Sequence, residues 1–240
     1  MAEMIHLNHL LLGVVDRFGI KLGFGEKTVS EVCDEFQVNL DFFLEICNAY
    51  IDEHYFPKVQ LQAFPVGSII AYLKKTHQYY LEKILPDINC SIEKLEEATF
   101  KSKPNIMVVK DFFQKYKEEV TAHIMREEEK VFPYVLKIEK AHSKLELSAE
   151  LKDELDTYSI NNYYDDHDDV EEKLYDLKNI IIKYLPQPEE LEFIHRLVEQ
   201  LFGLEKDLND HSRIEDKVLV PKVAVMEREL LAVYQSQNSR

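Results

Sequence analysis

Apolar residues recur at steps of three and four along four long segments, at about residues 67–92, 105–140, 150–184 and 189–235. This spacing keeps apolar side chains on one face of an α-helix, so each segment is predicted to be an amphipathic helix. Polar, proline-bearing connections such as KSKPN and LPQPEE separate the segments. Since short connections make consecutive long helices antiparallel neighbours, the pattern predicts an all-α, up-down-up-down four-helix bundle.

A smaller helical unit is predicted ahead of these segments. Thr28 followed by Glu31 is typical of a capping box that opens a short helix ending near Phe36. Asn39 is expected to cap a second short helix that continues to Tyr50.

The stretch HYFPKVQLQAFP, from residue 54 to residue 65, carries two prolines and has no sustained periodicity. We therefore expect a boundary between a small helical N-terminal domain at residues 1–58 and the bundle at residues 66–235.

Charge and cysteine content exclude several classes of function. The chain of 240 residues has 45 acidic and 29 basic residues and a formal net charge of −16, which disfavours binding to nucleic acid or to anionic membranes. Its three cysteines, Cys33, Cys47 and Cys90, form no C-x-x-C pair and favour a reducing compartment. No segment approaches the roughly 20 apolar residues that span a bilayer, and a cytoplasmic protein is expected.

Each predicted helix carries a histidine on its apolar face, at a position where leucine would be expected. These histidines are His77, His123, His167 and His211, and Glu127 and Glu215 follow two of them by one helical turn. Counted from the predicted turns at 1.5 Å per residue, neighbouring histidines differ in height by roughly 5 Å or less. All four imidazoles are therefore expected in one layer of the bundle.

An ionised carboxylate in a dry core must protonate, pair or bind a cation. A metal site satisfies the four histidines, Glu127 and Glu215 together, and two bridging carboxylates on paired helices are typical of a dinuclear centre. The donor set without thiolate suits iron, manganese or zinc. A hydrogen-bonded, metal-free cluster is the structural alternative.

The most specific signal is H-x-x-x-E-x-x-x-x-x-P, which occurs as His123-Glu127-Pro133 and again as His211-Glu215-Pro221. About 0.04 occurrences are expected by chance. The interval from His77 to His123 nearly equals that from His167 to His211, which indicates two copies of one helical hairpin.

These repeated histidines and glutamates resemble the hemerythrin-like HHE cation-binding bundle over roughly residues 66–235. The segment RFGI…GFGEKT, from residue 17 to residue 28, is similar to the N-terminal domain of iron–sulfur cluster repair di-iron proteins of the cell morphogenesis and nitric oxide signalling type. The resemblance implies two iron ions bound by the four histidines and bridged by Glu127 and Glu215. Manganese or zinc is the less favoured metal.

The resemblance implies a role in iron–sulfur cluster repair or in the response to nitrosative or oxidative stress. Its partners would be damaged iron–sulfur proteins or a diatomic ligand, O2 or NO. An alternative function is reversible binding or sensing of dioxygen or nitric oxide without turnover; enzymatic activity and homodimerisation are left open. One departure concerns the adjacent cysteines typical of the family, because Gly23-Phe24-Gly25 stands in their place.

Overall fold

The computed structural model describes residues 1–51, 56–98, 103–165, 170–185 and 191–238, and all regular elements within these ranges are helical. The predicted all-α class is thereby confirmed, whereas the up-down order of four helices stays a prediction. Within the described ranges, no helix combines the length and the apolar character that crossing a membrane requires.

The short helices lie mainly in the N-terminal part and in the 149–165 region. They are α1 (Ala2–Leu7), α2 (Leu11–Arg17), α3 (Val29–Glu35), α4 (Leu40–Ile51), α5 (Lys58–Ala63), α10 (Ala149–Thr157) and α11 (Ile160–Asp165). The longer ones are α6 (Val66–Tyr79), α7 (Leu85–Ala98), α8 (Lys103–Arg126), α9 (Phe132–Lys144), α12 (Val170–Tyr184), α13 (Leu191–Ile214) and α14 (Val220–Asn238).

Local sequence determines how α3 and α4 begin. The Thr28 hydroxyl accepts from the Glu31 backbone N–H at 3.3 Å, and the Glu31 carboxylate accepts from the Thr28 N–H at 2.8 Å, which completes the predicted capping box. The Asn39 side chain accepts from the Phe42 N–H at 2.9 Å at the start of α4. Both predicted caps are confirmed.

Three single π-helical turns join the long helices in pairs. The first π-turn, Tyr80–Ile84, joins α6 to α7; the second, Glu127–Val131, joins α8 to α9; the third, Glu215–Leu219, joins α13 to α14. In each case a proline follows two residues after the turn, at Pro86, Pro133 and Pro221. Because proline has no N–H and its ring clashes with the carbonyl four residues back, it disfavours regular α-helical bonding there.

The third predicted long segment, 150–184, is not one helix. Helix α10 ends at Thr157, Tyr158 has extended backbone angles of φ −144° and ψ 137°, and α11 begins at Ile160. The prediction of a continuous helix was therefore wrong at this point. The Glu227 carboxylate accepts a hydrogen bond from the Ile160 N–H at 2.9 Å, which stabilises a new helix start within an otherwise helical pattern.

Contacts group the chain into two compact units, each assembled from separate stretches. One contains residues 1–76, 134–164 and 213–240, and the other contains residues 77–133 and 165–212. The predicted domain limits at residues 1–58 and 66–235 stay a prediction.

The second unit contains one apolar core to which four helices contribute. Its buried side chains include Leu85, Ile88, Ile92 and Leu95 of α7, Val109, Phe113, Tyr116 and Val120 of α8, Leu174, Leu177 and Ile181 of α12, and Leu197, Leu201, Leu204 and Leu208 of α13. Within each helix these residues follow one another at steps of three and four, as the sequence pattern predicts. In the first unit, buried Arg17 donates to the Tyr50 hydroxyl at 2.8 Å and to the Tyr72 hydroxyl at 3.3 Å, which links α2, α4 and α6.

Buried Glu227 gives the first unit a pH-dependent stability. Burial raises the pKa of Glu227, although hydrogen bonds from the Tyr134 hydroxyl at 2.5 Å and from the Ile160 N–H act in the opposite direction. A carboxyl group with a raised folded-state pKa binds more protons folded than unfolded. Its contribution to stability is therefore fullest below its unfolded pKa and is lost as pH rises through the folded value.

We therefore expect the free energy of unfolding of the wild type, relative to a Glu227→Gln variant, to fall as pH rises from about 4 to 7. The glutamine keeps an oxygen acceptor without a charge, whereas Glu227→Ala removes the acceptor of two buried donors and is expected to cost about 2–4 kcal/mol. Urea unfolding of the three metal-free proteins across this pH range measures both effects. A pH-independent difference between wild type and Glu227→Gln would contradict the assignment.

Candidate metal centre

Four of the six predicted ligands meet around a common point. One ligand atom from each of His77, Glu127, His211 and Glu215 lies within 4.8 Å of the others, and all four side chains are buried. His77 is near the end of α6, and Glu127 is the first residue of the second π-turn. His211 is in the last turn of α13, and Glu215 begins the third π-turn.

The two oxygens of the Glu127 carboxylate face different histidines. Oε2 lies 3.1 Å from His77 Nε2, and Oε1 lies 3.1 Å from His123 Nε2. Burial alone raises the pKa of Glu127, but hydrogen bonds and charge from His123 and His77 outweigh it and hold the pKa well below its usual range. The ionised carboxylate thus spans two imidazole nitrogens, which is the arrangement of a bridging ligand.

The distance between the two nearest histidines is suited to a shared ion. His77 Nε2 lies 3.3 Å from His211 Nε2, with the ring planes inclined by 55°. Two nitrogens about 2.1 Å from one ion, at angles of 90–110°, would be separated by about 3.0–3.4 Å. His77 and His211 can therefore act as adjacent ligands without a large rearrangement.

The π-turns position the carboxylates. Glu127 and Glu215 each begin a π-turn, four residues after His123 and His211 respectively. A π-turn inserts a residue into the helix, which changes the direction of the side chains at that point while the helix continues on both sides. Single π-turns are frequent at functional sites for this reason.

The second nitrogen of His77 also faces a carboxylate. His77 Nδ1 lies 3.0 Å from Glu128 Oε1, and the His77 ring stacks on Phe132 with centroids 5.5 Å apart and planes 7° from parallel. Tyr80 packs edge-on against His211 and donates its hydroxyl hydrogen to the Asp207 carbonyl at 3.0 Å. These contacts orient both imidazole rings.

His123 has a different outer partner. Its Nδ1 lies 3.1 Å from Nη2 of Arg126. A guanidinium only donates hydrogen bonds, so Nδ1 acts as the acceptor and a neutral ring carries its hydrogen on Nε2, facing Glu127. Metal binding through Nε2 requires the other tautomer, with a hydrogen on Nδ1. Arg126 would have to turn away before His123 binds a metal through Nε2.

Five of the six predicted ligands lie within the described residues. The structure brings His77, Glu127, His211 and Glu215 together, and His123 joins them through Glu127 with its side chain 13% exposed. His167 lies outside the described residues. The contacts of Glu128 with His77 and of Arg126 with His123 were not predicted. For Glu128, the only signal in the sequence is its position beside Glu127 in the run Glu127-Glu128-Glu129.

The donor set fits a divalent metal ion. Two neutral imidazoles with two carboxylates provide a charge of −2, which compensates such a cation in a site that excludes water. No cysteine belongs to the group, so the site suits iron, manganese or zinc better than a metal that requires thiolate.

Comparison with known proteins gives a consistent result. The family model of the Hemerythrin HHE cation binding domain matches residues 68–223, which is more than half of the chain and includes all six predicted ligands. The iron-sulfur cluster repair protein ScdA of Staphylococcus haemolyticus is 18% identical over 223 residues, which are 92% of this chain and 96% of the relative. The protein of the same name from Staphylococcus epidermidis is 23% identical over 160 residues, or 66% of this chain and 67% of the relative.

Proposed function

Since the chain belongs to the hemerythrin HHE cation-binding domain family, we propose that it is a non-haem di-iron protein for iron–sulfur cluster repair or the nitrosative and oxidative stress response. The observation that carries the di-iron proposal is the Glu127 carboxylate, whose two oxygens face His77 and His123 separately. A carboxylate between two histidines on different helices is placed to bridge two ions.

In this proposal the ligands divide into two pairs of histidines. His77 and His211, whose Nε2 atoms are 3.3 Å apart, would hold one ion. His123, together with His167, would hold the other, and Glu127 and Glu215 would bridge the two. Iron bound there would supply one-electron chemistry and affinity for a diatomic ligand. The burial of Glu127 and Glu215 keeps the carboxylates away from bulk water and so strengthens their attraction for cations.

The N-terminal helices are not expected to supply a reactive thiol. Cys33 and Cys47 are buried, and burial raises the pKa of Cys47 to about 12. Since the thiolate is the reactive form, a thiol with this pKa is inert at neutral pH. We therefore propose that the repair role depends on the metal centre, in line with the missing cysteine pair at Gly23-Phe24-Gly25. Three free cysteines also favour a reducing, cytoplasmic location.

Metal content tests this proposal most directly. The full chain, purified without added metal and then loaded anaerobically with ferrous iron, is expected to retain about two irons per chain after desalting, as measured by plasma mass spectrometry. One iron per chain would reject the dinuclear assignment. Binding of zinc or manganese in preference to iron would contradict the redox role. If no metal is retained, the histidines and glutamates form a hydrogen-bonded, metal-free cluster.

A second candidate function is reversible binding of O2 or NO without turnover. The absence of thiolate from the described ligand group favours it, because the iron would be held only by nitrogen and oxygen donors. Stopped-flow spectroscopy of the iron-loaded protein separates the two functions. A gas adduct that dissociates unchanged favours sensing. Faster recovery of a nitric-oxide-damaged iron–sulfur enzyme upon adding the iron-loaded protein favours repair.

A further inference from the structure

We propose that Glu128 is a positioning residue that fixes the His77 imidazole as a metal ligand through its Nδ1 atom. This inference rests on the proposed metal-binding function. Glu128 Oε1 lies 3.0 Å from His77 Nδ1, and Glu127 Oε2 lies 3.1 Å from Nε2 of the same ring. Two consecutive glutamates therefore hold the two nitrogens of one imidazole.

The second π-turn explains how consecutive residues reach one ring. In an α-helix, neighbouring side chains diverge by about 100° around the axis. A π-turn holds more residues per turn and so reduces this divergence. Glu127 and Glu128 are the first two residues of that turn, and Glu127 is fully buried whereas the Glu128 side chain is 36% exposed. One carboxylate thus lies in the site, and the other approaches the same ring from its outer side.

The chemistry of the contact identifies the role of Glu128. In the metal-free site each nitrogen of the ring faces a carboxylate. A cation bound at Nε2 would replace the hydrogen on that atom, and the Glu128 carboxylate would keep the remaining hydrogen on Nδ1, so that the Nε2 lone pair is directed toward the ligand group. Phe132 stacks on the ring and limits its rotation. A ligand histidine held in this way binds a metal without first reorienting. Arg126 at His123 Nδ1 favours the other tautomer, with the hydrogen on Nε2. Of the two histidines that face Glu127, His77 is therefore oriented to bind a metal through Nε2 and His123 is not.

Variants at two adjacent residues of the same π-turn provide the test. Glu128→Ala removes the acceptor, Glu128→Gln keeps an acceptor oxygen without the charge, and Glu128→Asp keeps the charge but shortens the side chain. Glu129→Ala is the matched control, because exposed Glu129 carries the same charge in the same turn. Ferrous iron affinity is measured anaerobically in the full chain by competition with a chelator.

Relative to Glu129→Ala, we expect Glu128→Ala to weaken iron binding by about 10–100-fold. Glu128→Gln should restore most of the affinity, and Glu128→Asp should fall between the two. In histidine-labelled protein, the nitrogen NMR signal of His77 Nδ1–H should be protected from solvent exchange in the wild type and in Glu129→Ala but not in Glu128→Ala. A purely structural role would not produce rescue by glutamine together with this change in the ring signal.

The outcomes separate this inference from the proposed function. If the wild type binds no iron, the proposed function fails. If the wild type binds iron and Glu128→Ala matches Glu129→Ala in affinity and in the ring signal, the positioning role of Glu128 is overturned. Should Glu128→Ala not fold, equal affinities of Glu128→Gln, Glu128→Asp and Glu129→Ala would overturn it equally.

Discussion

Replacement of His77 by alanine is expected to abolish tight metal binding and to destabilise the metal-free protein. His77 contacts Glu127 and His211 through Nε2, so its loss removes a proposed ligand and one of the two histidine partners of a buried carboxylate. The affinity for iron should fall by more than the roughly 10–100-fold that is typical when a residue hydrogen-bonded to a metal ligand is changed. Removing one partner of a buried charged pair typically costs about 3–5 kcal/mol. Iron competition and urea unfolding measure the two effects.

His142→Ala is the matched control for this experiment. His142 also pairs with a glutamate, Glu229, at 2.6 Å, but it is partly exposed and lies outside the ligand group. This variant is expected to bind iron like the wild type and to lose less than about 1 kcal/mol of stability. Equal metal affinity of His77→Ala and His142→Ala would show that His77 is not a ligand.

A double variant separates the metal effect from the stability effect. In His77→Ala/Glu127→Gln the buried charge is removed together with its partner, so the destabilisation should be partly relieved while iron binding stays absent. Recovery of stability without recovery of metal affinity would show that the cost of the single variant comes from an uncompensated carboxylate. If the double variant is less stable than His77→Ala, this electrostatic explanation is wrong.

Helical periodicity predicted the inward positions that precede each π-turn. Val109, Phe113, Tyr116 and Val120 of α8 are all buried as expected. Beyond a π-turn the α-helical spacing no longer applies, because the inserted residue shifts the register by one. If the steps of three and four are continued past Tyr80, they place Ile84 on the inward face, whereas Leu85 and Ile88 are the fully buried residues there. A pattern with one fixed period cannot contain this shift.

Pro86, Pro133 and Pro221 each mark the end of a π-turn, whereas the motif used only the last two of them. Pro133 and Pro221 marked the two glutamate-bearing repeats, and each follows a π-turn by two residues. Pro86 has the same relation to the first π-turn, although Leu81 occupies the position four residues after His77, so the longer motif is absent there. The prolines thus indicate where regular α-helical bonding is interrupted, and not only where a glutamate of the proposed site lies.

The outer contacts of the histidines could not be predicted from spacing alone. Glu128 and Arg126 flank Glu127 in the chain, and both would be solvent-facing on a regular helix. The π-turn brings Glu128 to His77, and Arg126 reaches back by one turn to His123. Which imidazole nitrogen faces a donor and which faces an acceptor depends on these local contacts, and the choice of tautomer follows from them.

A variant that lacks Glu129 is expected to lose metal binding while it keeps its fold. Deleting one exposed residue from the second π-turn converts it to regular α-helix, because a single π-turn corresponds to one inserted residue. Glu127 and Glu128 would then diverge as on an ordinary helix and could no longer hold both nitrogens of His77. We expect iron affinity to fall by more than about 100-fold, which exceeds the effect of changing one residue that hydrogen-bonds a metal ligand.

The metal-free deletion variant should remain within about 1 kcal/mol of Glu129→Ala in its free energy of unfolding, because the regular helix regains a better hydrogen-bond pattern. Glu129→Ala keeps the chain length and removes the same side chain, so it isolates the effect of the inserted residue. Iron competition, circular dichroism and urea unfolding decide the matter. Retained metal affinity would show that the π-turn does not position the ligands, whereas unfolding of the deletion variant would show that the turn is required for the fold. Loss of metal with an intact fold would indicate that the inserted residue is kept for the site, at the expense of regular helical bonding.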